Sequence, residues 1–215
     1  MLRRRHAGHY DMRVLKIYPT SINERFIEEA VAELRSGAII VYPTDTLYAL
    51  ACSALNQGAI EKLCRLKGIN PQKENLSIVC ADISQASEYA RIDNNAFRML
   101  KSNLPGPFTF ILPASTALPK VFKGRKTVGV RVPDNQIATA LAAGLGHPLL
   151  TTSVEPDADS TVESVAEPDV VSLNYSDKVR LMIDGGRTPG VESTVVDITD
   201  SSSPEIIREG AGALI

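Results

Sequence analysis

Tryptophan is absent from this chain of 215 residues, and aromatic residues make up only 5% of it. The three cysteines, Cys52, Cys64 and Cys80, are odd in number and lack CxxC spacing, which argues against a disulfide framework and against a zinc site. Each lies among apolar residues, so we expect reduced, buried thiols. No apolar run approaches the roughly 18 residues that a membrane span needs, and no apolar core follows the basic N-terminus as in a signal peptide. We therefore expect a cytoplasmic protein without membrane contact.

The chain also lacks an excess of charge of either sign. The chain has 23 Lys and Arg against 25 Asp and Glu, a net charge of −2, so bulk charge gives no argument for a nucleic-acid partner and leaves only a local basic patch open. With 44% apolar residues the length suits one substantial core. Met12 precedes the first structured pattern, so we expect residues 1–11 to be a disordered extension and residues 12–215 to form one domain.

The stretch at 38–52, AIIVYPTDTLYALAC, organises the prediction. Residues 38–42 are small, β-branched or aromatic and uncharged, and Pro43 follows them, which predicts a buried strand ending there. A loop with three hydroxyl groups and one carboxylate comes next, from Thr44, Asp45, Thr46 and Tyr48. Open α/β sheets bind their ligands at the carboxyl ends of strands, so we expect the functional site there.

Helical and extended patterns alternate along the rest of the chain. A capping box of Ser21 and Glu24 predicts the start of a helix that ends at Gly37, and further helices are expected at 58–67, 84–89, 94–100 and 137–143. Strands are expected at 14–18, 76–80, 108–112, 127–132, 149–152, 179–184, 193–198 and 205–208. The pattern predicts an α/β protein with one mixed sheet and flanking helices.

Hydroxyl groups and cations lie at the ends of several predicted strands. The hydroxyls are those of Thr44, Tyr48, Ser77, Thr109, Thr152, Ser153, Ser193 and Thr194, and the cations are Lys67, Lys73, Arg131 and Arg208. Together they suit a phosphorylated substrate, although each alone is also explained as a turn former or a helix-end charge. Because the chain has no Walker A, GxGxxG or GxSxG motif, the residues alone indicate an α/β protein with an anion site.

Several motifs carry a resemblance to a known family. In chain order they are YPTDTLYAL at 42–50, RLK at 65–67, LSIVC at 76–80, PGPFTFIL at 105–112, TVGVRVPD at 127–134, LLTTS at 149–153, ESTVVDIT at 192–199 and REGAG at 208–212. They resemble the motifs of the YrdC/YciO family of threonylcarbamoyl-AMP synthase-like proteins, over nearly all of the chain after Met12. The resemblance implies a twisted open α/β sheet around a concave basic cavity.

The resemblance also implies an activity and a set of site residues. Such enzymes make threonylcarbamoyl-AMP from L-threonine, bicarbonate and ATP, releasing pyrophosphate, for an adenosine modification of tRNA. Carried over by position, Thr44, Tyr48 and Thr109 would bind substrate, Lys67 and Arg131 would be catalytic, and the nucleotide would be held by Lys67, Ser153, Ser193 and Arg208. Mg²⁺ would enter with the nucleotide, without ligands from protein side chains. Alignment and charge neutralisation then replace a protein nucleophile.

Two motifs depart from those of the synthases. Lys-x-Arg after the second helix reads Lys67-Gly68-Ile69 here, and Ser-x-Asn in the later loop reads Ser153-Val154-Glu155. An apolar residue and an acid thus replace a cation and an amide, as in the YciO branch of the family. Three functions remain open at this stage: a synthase of weak activity, a protein that grips double-stranded RNA or tRNA in the same cavity, and a nucleotide enzyme with another acceptor.

Overall fold

The computed structural model describes residues 12–71, 73–124, 126–156 and 161–215. The N-terminal extension expected at 1–11 lies outside these residues. The described part of the chain contains ten strands: β1 Arg13–Lys16, β2 Ile40–Pro43, β3 Tyr48–Ser53, β4 Ser77–Val79, β5 Phe108–Pro113, β6 Thr127–Arg131, β7 Leu149–Ser153, β8 Leu181–Asp184, β9 Thr194–Asp197 and β10 Glu205–Arg208. Its six α-helices are α1 Glu24–Arg35, α2 Gln57–Lys67, α3 Ile83–Tyr89, α4 Asn94–Asn103, α5 Gln136–Leu145 and α6 Pro168–Tyr175.

All ten strands form one sheet in the order β1-β8-β2-β3-β7-β4-β6-β5-β9-β10. Four neighbouring pairs are parallel, β1 with β8, β2 with β8, β4 with β6 and β5 with β9. The other pairs are antiparallel. The predicted mixed α/β sheet is therefore confirmed, and it forms a single domain with helices on both faces.

Two hydrophobic clusters lie on opposite faces of this sheet. On one face α1 and α5 cover side chains such as Ile40 and Ala51. On the other face, a larger cluster packs α2 and α4 against the strand side chains that point the opposite way, among them Val41, Leu50 and Val130. Alternation of side chains along each strand separates the two sets. Because α1 and α5 cover only part of the first face, the rest of that face is left for a cavity.

The start of α1 differs from the prediction. The predicted capping box of Ser21 and Glu24 is wrong: Asn23 is the N-cap, and its Oδ1 accepts a hydrogen bond of 3.3 Å from Phe26 N. Asn caps a helix as well as Ser does, so two candidate caps stood close together in the sequence. The predicted end holds, since Gly37 follows the helix in the left-handed region with φ +84°.

Two elements have no counterpart in the sequence prediction. Tyr48–Ser53, expected to continue the loop after Thr44, is strand β3 and forms a hairpin with β2. All six of its residues are buried, so it lacks the alternation that marks a half-exposed strand. Helix α6 was also missed; it begins with Pro168 at its first turn and has no side-chain cap.

Cys52, Cys64 and Cys80 are buried, as expected. Burial raises the pKa of each thiol above its ordinary value. In the described part of the chain no helix is long and apolar enough to cross a membrane.

Candidate functional site

A cavity of about 410 Å³ opens on the face of the sheet that α1 and α5 leave uncovered. Directly paired residues of neighbouring strands point to the same face, and this pairing explains which side chains reach the cavity. Thr151 of β7 pairs with Ser77 of β4, Ser77 with Gly129 of β6, and Gly129 with Ile111 of β5. These four residues line the cavity, together with residues two positions along the same strands: Thr109, Arg131 and Ser153.

Gly129 keeps the floor of the cavity open. A Cβ atom at this position would lie 2.5 Å from Ser77 Oγ and 3.0 Å from Thr109 Cγ2. Both neighbours line the cavity, so any side chain here would push them aside or fill the space between them. The sequence TVGVR therefore places the glycine where close approach is needed, two residues before Arg131.

Arg131 ends β6 as a buried cation, and its side chain is 5% exposed. One terminal nitrogen donates to Asp45 Oδ1 at 2.9 Å and to Thr46 Oγ1 at 3.0 Å. Its Nε is buried and has no hydrogen-bond partner among the described residues. A buried donor without a partner is costly, so a ligand that accepts from Arg131 Nε would relieve that cost.

Asp45 fixes the position of Arg131 from the other side. Its second oxygen accepts from the backbone N–H of Asp134 at 2.9 Å, and its side chain is 8% exposed. Burial raises the pKa of the Asp45 carboxyl, while the charge of Arg131 and the N–H of Asp134 oppose that rise. Asp45 thus joins the loop after β2 to the end of β6.

Thr44 uses its hydroxyl inside the same loop. Its Oγ1 donates to Leu47 O at 2.7 Å and accepts from the backbone N–H groups of Thr46 and Leu47 at 3.1 and 3.3 Å. The residue is 2% exposed and does not line the cavity. Thr44 closes the turn between β2 and β3, and Leu47 and Arg131, not Thr44, face the cavity.

Lys67, at the end of α2, contacts residues of the cavity wall without lining the cavity itself. Its ammonium group donates to Ser153 O at 3.0 Å and pairs with Glu155 Oε1 at 2.9 Å. The Lys67 side chain is only 5% exposed, whereas that of Glu155 is 74% exposed. Ser153, Glu155 and Ile69 all line the cavity. The two positions that depart from the synthase motifs therefore lie in this wall.

Thr109, Ser193 and Arg208 form the opposite wall. The hydroxyls of Thr109 and Ser193 are 2.9 Å apart and hydrogen-bonded, and both residues are buried. Arg208 donates to Ser193 O through Nε at 3.2 Å and through a terminal nitrogen at 2.9 Å. Its other terminal nitrogen pairs with Glu192 at 3.0 Å. This wall offers hydroxyl groups and one guanidinium group to a ligand.

Tyr48 and Tyr42 are turned away from the solvent. Tyr48 precedes Ala49, which pairs with Ser153, so side-chain alternation puts Tyr48 on the opposite face. Its hydroxyl donates to Gly186 O at 2.7 Å and accepts from Gly185 N at 3.1 Å, and burial raises its pKa. Tyr42 shares a 2.8 Å hydrogen bond with Thr151, and burial raises its pKa to about 12.

The structure thus brings most of the predicted site residues together. Five of them line the one cavity, namely Thr109, Arg131, Ser153, Ser193 and Arg208. Lys67 contacts its wall, and Thr44 and Tyr48 lie outside the lining. Gly129 and Thr151 were not among the predicted site residues, and Asp45, although it lies in the loop where the site was expected, was given no role.

The charged residues of the lining are Arg131 and Arg208 together with Glu155 and Glu192. Within the described residues no group of three His, Cys, Asp or Glu could hold a metal ion. The arrangement therefore offers anchored cations, hydroxyls and backbone groups to an anionic ligand, and among described side chains none that acts as an evident nucleophile.

Comparison with known proteins supplies the family. The Sua5/YciO/YrdC family model, described as telomere recombination, matches residues 32–210. The chain is 40% identical over 198 residues to the uncharacterized protein YciO of Escherichia coli, covering 91% of this chain and 94% of that protein. It is 34% identical over 184 residues to threonylcarbamoyl-AMP synthase of Halorhodospira halophila, covering 85% and 93%.

Comparison with solved structures indicates the same family. The crystal structure of Escherichia coli YciO matches with a TM-score of 0.85 and 37% identity, over 94% of this chain and 97% of that one. The crystal structure of Pyrococcus abyssi Sua5 complexed with L-threonine matches with a TM-score of 0.80 and 31% identity, over 93% of this chain and 58% of that one. On this evidence the chain belongs to the Sua5/YciO/YrdC family.

Proposed function

We propose that this chain binds ATP, L-threonine and bicarbonate in the cavity and acts as a YciO-type L-threonylcarbamoyladenylate synthase of weak activity, linked to tRNA threonylcarbamoyl-adenosine modification. The observation that carries the proposal is the convergence of Thr109, Arg131, Ser153, Ser193 and Arg208 on one cavity of about 410 Å³. This volume is within the usual range for small-ligand sites. A synthase and a Sua5 that binds L-threonine are among the relatives of this chain.

The reaction asks for alignment more than for a reactive side chain. The amine of threonine and bicarbonate give a carbamate with release of water, a carbamate oxygen attacks the α-phosphorus of ATP, and pyrophosphate leaves. Negative charge gathers on the phosphates, so positioned cations and hydrogen-bond donors lower the barrier. Mg²⁺ would be bound by the nucleotide phosphates and would neutralise part of their charge.

Arg131 and the wall formed by Thr109, Ser193 and Arg208 divide this work. Arg131 has a buried Nε without a partner, which suits the carboxylate of threonine or a phosphate oxygen. The Thr109 and Ser193 hydroxyls and the Arg208 guanidinium suit the nucleotide. The fixed pair of Asp45 and Arg131 means that the cation needs little reorganisation when the ligand arrives.

Weak activity follows from the wall that contains Ser153, Glu155 and Ile69. Lys67 shares its charge with Glu155, and Ile69 adds an apolar surface where synthases have an arginine. A lost arginine contact and an added carboxylate would cost a few kcal/mol of transition-state stabilisation, roughly a hundredfold or more in rate. Ile69→Arg with Glu155→Asn should therefore raise pyrophosphate release with ATP, threonine and bicarbonate. An unchanged rate in the double variant would contradict this account of the low activity.

Binding of ATP is the direct test. Calorimetry with ATP and Mg²⁺ should show binding to the natural chain, weaker binding to Ser193→Ala and Arg208→Gln, and unchanged binding to Arg91→Gln, an exposed cation outside the cavity. Labelled bicarbonate should enter a product only when threonine and ATP are both present. Absence of ATP binding would overturn the proposal, and salt-sensitive retention of double-stranded RNA or tRNA in that case would favour an RNA-binding function instead.

A further inference from the structure

A second concave surface lies at the amino ends of the neighbouring parallel strands β2 and β8. Ile40 of β2 pairs with Leu181 of β8, so the residues before each strand, 36–39 and 178–180, lie side by side. With one face of α2 they form a groove of about 530 Å³, called here the basic groove. Its charged lining residues are Lys62, Arg65, Lys178 and Arg180, and it shares no lining residue with the first cavity.

The four cations come as two pairs, one on α2 and one on the segment before β8. Lys62 and Arg65 are three residues apart on α2 and therefore lie on one side of that helix. Lys178 and Arg180 lie in the turn and bend that lead from α6 into β8, with Val179 buried between them. All four side chains belong to exposed residues. The convergence therefore joins two separate parts of the chain.

The charged residues in the described lining of the groove are all basic. Among the described residues its lining contains no Asp or Glu, and no ion pair joins Lys62 or Arg65 to a carboxylate in that part of the chain. The neighbouring Glu61 accepts a 2.9 Å hydrogen bond from Gln57 instead. Asp177, beside Lys178, is not part of the lining either. The groove is thus positive in a chain whose net charge is −2.

Lys178 is held in position rather than free to swing away. Its ammonium group donates to Asn174 O at 2.8 Å and lies 5.2 Å from the centre of the Tyr175 ring. Arg65 also suits the C-terminus of α2, where a positive charge is favourable. That explanation does not extend to Lys62, which precedes the last turn, or to Lys178, which lies on another segment. Grouped like charges repel one another and do not help folding.

We propose that the basic groove binds phosphate groups, supplied either by a free polyphosphate or by the backbone of RNA. Lys and Arg are the side chains that neutralise phosphate oxygens, and an open groove allows several such contacts at once. The proposal does not depend on ATP binding in the first cavity, since the two sites have different linings.

The test uses two probes and matched variants. Sodium tripolyphosphate and a short RNA duplex are titrated into the natural chain, into Lys62→Gln with Arg65→Gln, and into Lys178→Gln. The control, Arg91→Gln with Lys120→Gln, removes the same charge from exposed positions outside the groove. Lys62→Gln with Arg65→Gln should bind the probe that the groove recognises about tenfold more weakly than the unsubstituted protein does. If that probe is RNA, the slope of log K against log salt concentration should become shallower by about 2.

The outcomes separate the two sources of phosphate. Weaker binding of tripolyphosphate alone assigns the groove to a free polyphosphate, weaker binding of RNA alone assigns it to a backbone, and loss of both assigns it to phosphate groups in either setting. In an Arg208→Gln background, which alters only the first cavity, the same loss of affinity should follow from Lys62→Gln with Arg65→Gln. No binding by the natural chain, unchanged binding by the groove variants, or an equal loss in the control would overturn the proposal. Thermal unfolding checks that each variant folds.

Discussion

Replacing Glu155 by glutamine should strengthen nucleotide binding. The Glu155 carboxylate lies 2.9 Å from the Lys67 ammonium group and lines the cavity that would receive the phosphates. In the natural chain it repels a phosphate and neutralises the cation that would attract it. Glu155→Gln keeps the size of the side chain and removes both effects, so the expected result is a lower Kd for ATP with Mg²⁺.

The magnitude follows from the distance and the exposure. Unit charges about 4 Å apart in water, or about 8 Å apart at an effective dielectric constant of about 20, interact by about 1–2 kcal/mol. Since the Glu155 side chain is 74% exposed, screening favours the lower figure. About 1 kcal/mol corresponds to roughly a fivefold decrease in Kd.

Calorimetry at two ionic strengths provides the assay. The gain in affinity should shrink as salt is raised, because the carboxylate is exposed. Glu28→Gln makes the same chemical change at an exposed position on α1 and should leave the Kd unchanged. In a Lys67→Met background the gain should be smaller, since part of it comes from releasing that ammonium group. Equal or weaker ATP binding by Glu155→Gln would refute the electrostatic reasoning.

Three further changes test the framework of the site. Asp45→Ala leaves the buried Arg131 without its carboxylate, so the free energy of unfolding measured in urea should fall by about 3–5 kcal/mol; a loss well below 1 kcal/mol would mean that water replaces the carboxylate. Gly129→Ala places a methyl group against Ser77 in the cavity floor, and we expect about 1–3 kcal/mol lower stability with weaker ATP binding; normal ATP binding would show that the floor is not in contact with ligand. The Tyr42 pKa rises from 10.0 to about 12 on folding, so the unfolded state loses its proton first and stability should fall by about 2–3 kcal/mol as the pH rises through that interval. Tyr42→Phe should lack this component in urea unfolding at high pH, and the same pH dependence in both proteins would contradict it.

The fold was predictable wherever the residue pattern was strong. Buried strands such as β2 and β5 end at prolines or turns, and the helices repeat apolar residues at helical spacing. β3 was not predicted because all of its residues are buried and show no alternation, so Tyr48 was assigned to a loop. Its extended conformation comes from pairing with β2 on one side and β7 on the other, and pairing partners distant in the chain leave no local signal.

The sequence by itself determined the family, the mixed α/β sheet and the residue types of an anion site, because motifs, periodicity and hydroxyl or basic side chains are properties of short stretches. Only the tertiary structure decided which of those residues share a cavity. Strand register turns Thr109, Arg131 and Ser153 to one face and Tyr48 to the other, and Arg131 meets Asp45, 86 residues away, only because β6 ends beside the loop after β2. The basic groove likewise depends on two segments meeting at the amino ends of β2 and β8, since a contact between distant residues is set by sheet order and not by local propensity.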